Sequence, residues 1–194
     1  MRRILLALAA AFLLAACNQG AGDQEQGTAP AEGAPSDADV TFAQNMIPHH
    51  QQAIEMAKLV DTHTDRPELR QLADSIMSSQ RQEITLMEGW LRSWGKPATP
   101  SEGHGGHGDT EMPGMMSEAD MGRLMESTGT EFDLVFVEMM AAHHQGAIDM
   151  ANTELKDGSQ PEVTRLAEQI IDIQRDEIDQ LQRWKTEWST AAVG

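Results

Sequence analysis

The sequence predicts an all-α protein, a four-helix bundle built from two copies of one helical hairpin. Three observations carry that prediction. The second half of the 194-residue chain repeats the first without a gap at a fixed offset, so that FAQNMIPHHQQAIEMA lies on FVEMMAAHHQGAIDMA and the PELRQ segment on PEVTR. Between Phe42 and Trp94, 20 of 53 positions are identical to their counterparts, which marks an internal duplication. Apolar residues recur at three- and four-residue steps throughout both copies, and proline and glycine punctuate the runs where helices should start and stop.

In the first copy, Phe42, Met46, His49, His50, Ala53, Ile54 and Ala57 fall on one side of a helix. Pro67 suits the first turn of the next helix, whose inner stripe is Leu69, Leu72, Ala73, Ile76, Ile84, Met87, Leu91 and Trp94, and Gly95 and Pro97 end it. The second copy follows the same plan, with Thr130 as the expected cap, Pro161 as the restart, and Val163, Leu166, Ile170, Ile178, Leu181, Trp184 and Trp188 as the second stripe. Four helices with an apolar face each bury those faces together as a bundle. Pro48 should kink the first helix or end a short helix before it, and Ala142 holds that place in the second copy. Ser117 followed by Asp120 has the spacing of a capping box and predicts a short helix through Met125.

The chain start reads as an export signal. Two arginines, an apolar run from Ile4 to Leu14 and small residues up to Cys17 form a secretory signal over 1–16. The run is shorter than the ~20 residues a membrane-spanning helix wants. Leu14-Ala15-Ala16-Cys17 is similar to a bacterial lipobox, which makes Cys17 the expected lipidation site and leaves the chain without a disulfide, since it has one cysteine. Residues 17–36 form a tether poor in apolar surface. The domain is expected over 37–190, as hairpin one (37–95), a His- and Met-rich loop (96–129) and hairpin two (130–190). Asn18 after the lipidated cysteine inclines the anchor towards the outer membrane in a Gram-negative cell.

Loss of residues 1–16 takes Arg2 and Arg3 from the 14 basic residues, leaving 12 against 31 Asp and Glu and a net charge near −19 instead of −17. Such a surface repels nucleic acid and draws cations, and it equally serves solubility.

Three residue sets carry chemistry. The first is Met46, His49, His50 and Met56, repeated as Met140, His143, His144 and Met150. At ~100° per residue each quartet falls within about 120° of one helix face, the core-facing one. Thioether and imidazole together suit Cu(I) or Ag(I), whereas imidazole alone also suits Cu(II), zinc or nickel. The same pattern is open to a plainer reading as core filling with a hydrogen-bonded His pair. The second set is Gln80 and Glu83, with Gln174 and Glu177, which fall inside apolar stripes. A carboxylate drawn into a core needs a partner, and the neighbouring histidines are the partners at hand, either as a polar staple or as groups that orient metal-bound imidazoles. The third set is the loop donors His104, His107, Met112, Met115 and Met116, five soft or borderline donors in thirteen residues. Other chemistries lack their motifs: there is no nucleophile elbow, phosphate loop, H-E-x-x-H pair or second cysteine.

MIPHHQQAIEMA, MPGMM, FVEMMAAHHQGAIDMA and the two helices containing Q-x-x-E-I together resemble the domain-of-unknown-function family 305, over about residues 37 to 190. The resemblance implies a ferritin-like four-helix bundle, exported, in a family some of whose members, the CopM-like proteins, bind copper and silver outside the cytoplasm. It marks Met46, His49, His50 and Met56, their counterparts, and Met112, Met115 and Met116 as the motif positions. The expected function is binding of Cu(I), and of Ag(I), by an envelope lipoprotein for buffering, transfer or resistance, without an enzymatic step. The alternatives are a ferritin-like metal oxidoreductase using iron or copper, and a metal-free helical module that binds a protein partner. A di-iron centre would want Glu-x-x-His pairs, and Met46 and Met140 stand where those glutamates would be.

Overall fold

The computed structural model describes residues 33–99 and 112–191. The signal sequence, Cys17 and the tether up to residue 32, together with His104 and His107, lie outside the described residues.

Five helices and no strand are found among the described residues: α1 (Asp37–His63), α2 (Pro67–Ser93), α3 (Glu118–Glu126), α4 (Gly129–Asp157) and α5 (Pro161–Ala191). The all-α bundle read from the periodicity is the fold observed. α1 pairs with α2 and α4 with α5 as two hairpins, and the hairpins meet where α1 packs on α4. All four long helices feed both halves of the core. One half gathers Ala53, Val60, Leu69, Ile76, Phe132, Phe136 and Leu181, and the other Phe42, Ile47, Met87, Leu91, Val163 and Ile170.

The helix ends follow local chemistry. Ser36 caps α1 and Ser117 caps α3, each in a reciprocal capping box with the aspartate three residues on. α2 ends in a Schellman turn, in which Gly95 takes φ 65° and Lys96 N–H donates to Leu91 O at 2.8 Å. Of the two outcomes expected at Pro48, a kink or a helix end, the end is not found: α1 runs through Pro48. One local expectation is corrected. The residue capping α4 is Thr128, not Thr130, and it makes no side-chain cap bond, because Gly129 at φ 59° turns the chain into the helix one residue later.

Each hairpin also holds the other by an aspartate at the start of its first helix. Asp39, fully buried, accepts from Ser159 N at 3.1 Å and Gln160 N at 2.9 Å in the turn before α5. Its counterpart Asp133 accepts from Arg66 Nε at 2.5 Å in the turn before α2, and that guanidinium lies 4.2 Å from the centre of the Trp188 ring. Burial alone would raise the Asp39 carboxyl, but hydrogen bonds from Ser36, Gln160 and Ser159 outweigh it and hold its pKa at about 2.

The two ends differ in burial of charge as well. Where the first copy has Val60, the second has Glu154, buried with neither carboxyl oxygen hydrogen-bonded. Burial, and then the Asp39 carboxylate beside it, push its pKa up to about 8. The folded chain therefore keeps this proton while the unfolded chain releases it near 4.5, so Glu154 costs stability progressively as pH rises from 4.5 to about 8. Glu154→Gln keeps the side chain's size and removes the titration. Urea unfolding should show it about 2 kcal/mol more stable than the wild type at the alkaline end of that window and indistinguishable at the acid end.

Candidate functional site

The four histidines of the candidate site sit where α1 crosses α4. His49, His50, His143 and His144 are all fully buried. The His49 and His143 rings lie against each other, centroids 3.8 Å apart and planes tilted by 35°. These two are equivalent residues of the two copies, and equivalent residues touch each other only beside a two-fold axis. The duplicated hairpins thus meet at an imidazole pair.

The outer two histidines face carboxylates from α2 and α5. His50 Nε2 lies 2.5 Å from Glu83 Oε2, and His144 Nε2 lies 2.8 Å from Glu177 Oε2, the second contact being off the ring N–H direction. Arg81 and Arg175, the other cations near Glu83 and Glu177 in sequence, make no ion pair with them. Gln80 and Gln174 are buried with their carbonyl oxygens unpartnered, and neither bonds a histidine. The polar network at the bundle centre therefore links histidine to glutamate and leaves the glutamines out of it.

A carboxylate or carbonyl oxygen only accepts, so His50 and His49 carry their protons on Nε2. His49 Nε2–H donates to Pro113 O at 3.0 Å. Each ring then leaves Nδ1 bare, and among the described residues the buried Nδ1 atoms of His49 and His50 have no partner, nor does either nitrogen of His143. Burial, followed by the neighbouring imidazoles, depresses His49 to a pKa of about 3 and His143 well below its usual value. Both rings are neutral at physiological pH, the form in which imidazole is a ligand. An unpaired buried nitrogen costs stability, so His143 is an expensive way to fill a core. It fits instead a ligand that brings its own bond to nitrogen.

The methionines lie on either side of this layer. Met46 and Met150 belong to one apolar half of the core and Met56 and Met140 to the other, so the fold groups the sulfurs across copies. Met46 and Met56 share a face but stand ten residues, about 15 Å, apart along α1. One ion at the imidazoles can reach the sulfur of a neighbouring turn, not both.

The segment 112–116 is no free loop but the cover of the histidine pair. Met112 O accepts from Met115 N at 3.1 Å, with Pro113 second and Gly114, at φ 74°, third, the pattern of a type II turn. Gln52 of α1 clamps the far end, donating to Met116 O at 2.8 Å and accepting from Met116 N at 2.7 Å. On the other side the turn lies directly on α4, where a Cβ on Gly146 would come 1.9 Å from Pro113 O. Met112, Met115 and Met116 are half-buried as a result. The sequence reading missed Gly146, Gly114 and Gln52. The signal was in the repeat itself, where Gln52 faces a glycine in the second copy.

Among the described residues no three His, Cys, Asp or Glu side chains stand ready as a metal site. Any ion at the imidazoles would draw on few donors, as Cu(I) and Ag(I) accept and as zinc does not.

Residues 39–185 match the family model for the domain of unknown function DUF305. The chain belongs to this family. A Streptomyces coelicolor DUF305 protein named as secreted has the same fold, with a TM-score of 0.72 and 32% identity over 78% of this chain and 94% of that one. CopM in its Cu(II)-bound form has a TM-score of 0.66 and 34% identity over 77% of this chain and 97% of that one, and CopM has also been solved with Cu(I), with silver and in the apo form. A curated relative, an uncharacterized protein of Acanthamoeba polyphaga mimivirus, is 42% identical over 53 residues, 27% of this chain, and the match spans 35% of that protein's length.

Proposed function

We propose that this DUF305 protein is an exported lipoprotein, anchored through Cys17 and without an enzymatic role, that binds Cu(I) and Ag(I) for buffering, transfer or resistance. The observation that carries the reading is the buried His49 and His143 pair at the junction of the two hairpins, neutral and, among the described residues, with Nδ1 of His49 and both nitrogens of His143 unsatisfied. Met46 and Met140, one helical turn from these rings, are the sulfur donors nearest in sequence. The Met112–Met116 turn covers the site and carries further thioethers. Glu83 and Glu177 hold the outer imidazoles in place. CopM, of the same fold and similar over most of its length, takes copper and silver. The anchor would face the periplasm or the exterior, and His104 and His107 would add imidazole donors to the set. A ferritin-like di-iron reading finds less support, since Glu83 and Glu177 each sit against one histidine and fall short of the carboxylate set such a centre uses.

Titration of the purified protein with Cu(I) against a competing chelator tests this. The wild type should bind with a dissociation constant well under about 1 μM, and His49→Gln with His143→Gln should weaken it at least about a hundredfold, the scale of lost metal ligands. Binding weaker than micromolar, or unmoved by the double substitution, would end the proposal.

A further inference from the structure

Beside the turn that covers His49, the surface carries a groove between α1 and α3 whose lining includes Glu55, Lys58, Glu118, Met116, Met121 and Met125. We propose that this groove is a separate site for a soft monovalent cation, Cu(I) or Ag(I), held by the thioethers of Met116, Met121 and Met125. The proposal extends the metal-binding reading above to residues outside the histidine core.

Met121 and Met125 are one turn apart on α3 and present their sulfurs on the same face. Met116, half-buried, lines the same groove and is held there by the Gln52 clamp on its backbone. Met116 and Met121 lean on the core, which accounts for their carbon atoms. Met125 is different: it is 53% exposed, and core packing does not explain it. The other exposed large apolar side chains among the described residues, Leu86, Leu155 and Ile173, fall on three different helices, as scattered surface residues do. Three thioethers in one groove are a number and kind of donor that Cu(I) and Ag(I) accept and that zinc and Cu(II) do not. Glu55 and Glu118 line the same groove, so the two carboxylates outweigh the Lys58 charge and favour a cation. The groove adjoins the turn whose Pro113 carbonyl holds His49, which places a surface capture site next to the cover of the interior one.

The test is titration of the purified protein, carrying 13C-methyl methionine, with Ag(I). The methyl signals of Met116, Met121 and Met125 should shift, and Zn(II) should leave them in place. Met121→Leu with Met125→Leu conserves volume and should bind about one equivalent less Ag(I) while its histidine ring signals still respond. In the His49→Gln, His143→Gln protein the groove methyls should shift as before. That result supports the groove whatever becomes of the interior site. Methyl signals that stay fixed while the interior binds, an unchanged stoichiometry in the leucine variant, or an equal response to Zn(II) would each overturn the proposal.

Discussion

Gly146→Ala should be among the most damaging single substitutions in this protein, costing about 3 kcal/mol and weakening metal binding with it. The added Cβ would lie 1.9 Å from Pro113 O and 2.7 Å from Gly114 Cα, both backbone atoms that no rotamer change can move. Overpacking against backbone is relieved only by shifting a segment, and the segment here is the turn. Its displacement breaks the His49 bond to Pro113 O and opens the histidine pair to water. Gly122→Ala in α3 is the control, because nothing lies within 4 Å of its added Cβ and alanine favours a helix. Urea unfolding should place Gly146→Ala far below the wild type and Gly122→Ala at or slightly above it. Equal midpoints for the two would show that the turn does not rest on α4.

Acid should destabilise the fold through the same histidines. The unfolded chain takes up protons at the usual imidazole pKa of 6.5, whereas folded His49 refuses one until about 3 and His143 is depressed in the same direction. Between those values the unfolded state binds more protons, so stability falls as pH falls, by about 1.4 kcal/mol per unit from His49, with His143 adding in the same direction. Glu154 regains stability over the upper part of that fall, so the net slope in the wild type is shallower there. The Glu154→Gln protein should show the full slope. His143→Leu removes a depressed imidazole and two unpartnered nitrogens, leaving a side chain of similar size in an apolar setting. It should exceed the wild type by about 2 kcal/mol near pH 5 and fall less steeply. An unaltered slope in His143→Leu would contradict the account of the buried pair.

These two results also mark what the sequence made legible. The hairpins were readable because helical periodicity, Pro67 and Pro161 are local signals, and the repeat doubled each of them. Glu83 and Glu177 stood out because a carboxylate in an apolar stripe must find a partner, and the structure sets each against a histidine. Face arithmetic on one helix gave angle without height, which is why Met46 and Met56 looked like co-ligands although a helix separates them by about 15 Å. The docking of the turn was hidden for another reason. Its contact is backbone on backbone at Gly114 and Gly146, and glycine reports a close approach only by what it lacks. Asp39, Asp133 and Glu154 act between hairpins, at sequence distances no local pattern spans.

What the whole reading needs is an ion bonded to imidazole nitrogen inside the bundle. The 15N spectrum of histidine-labelled protein, before and after Ag(I) is added, measures that bond. The account predicts that Nδ1 of His49 and at least one nitrogen of His143 shift strongly, while Nε2 of His49 keeps its proton on Pro113 O. Saturation with Ag(I) that leaves every core imidazole nitrogen unmoved would contradict it.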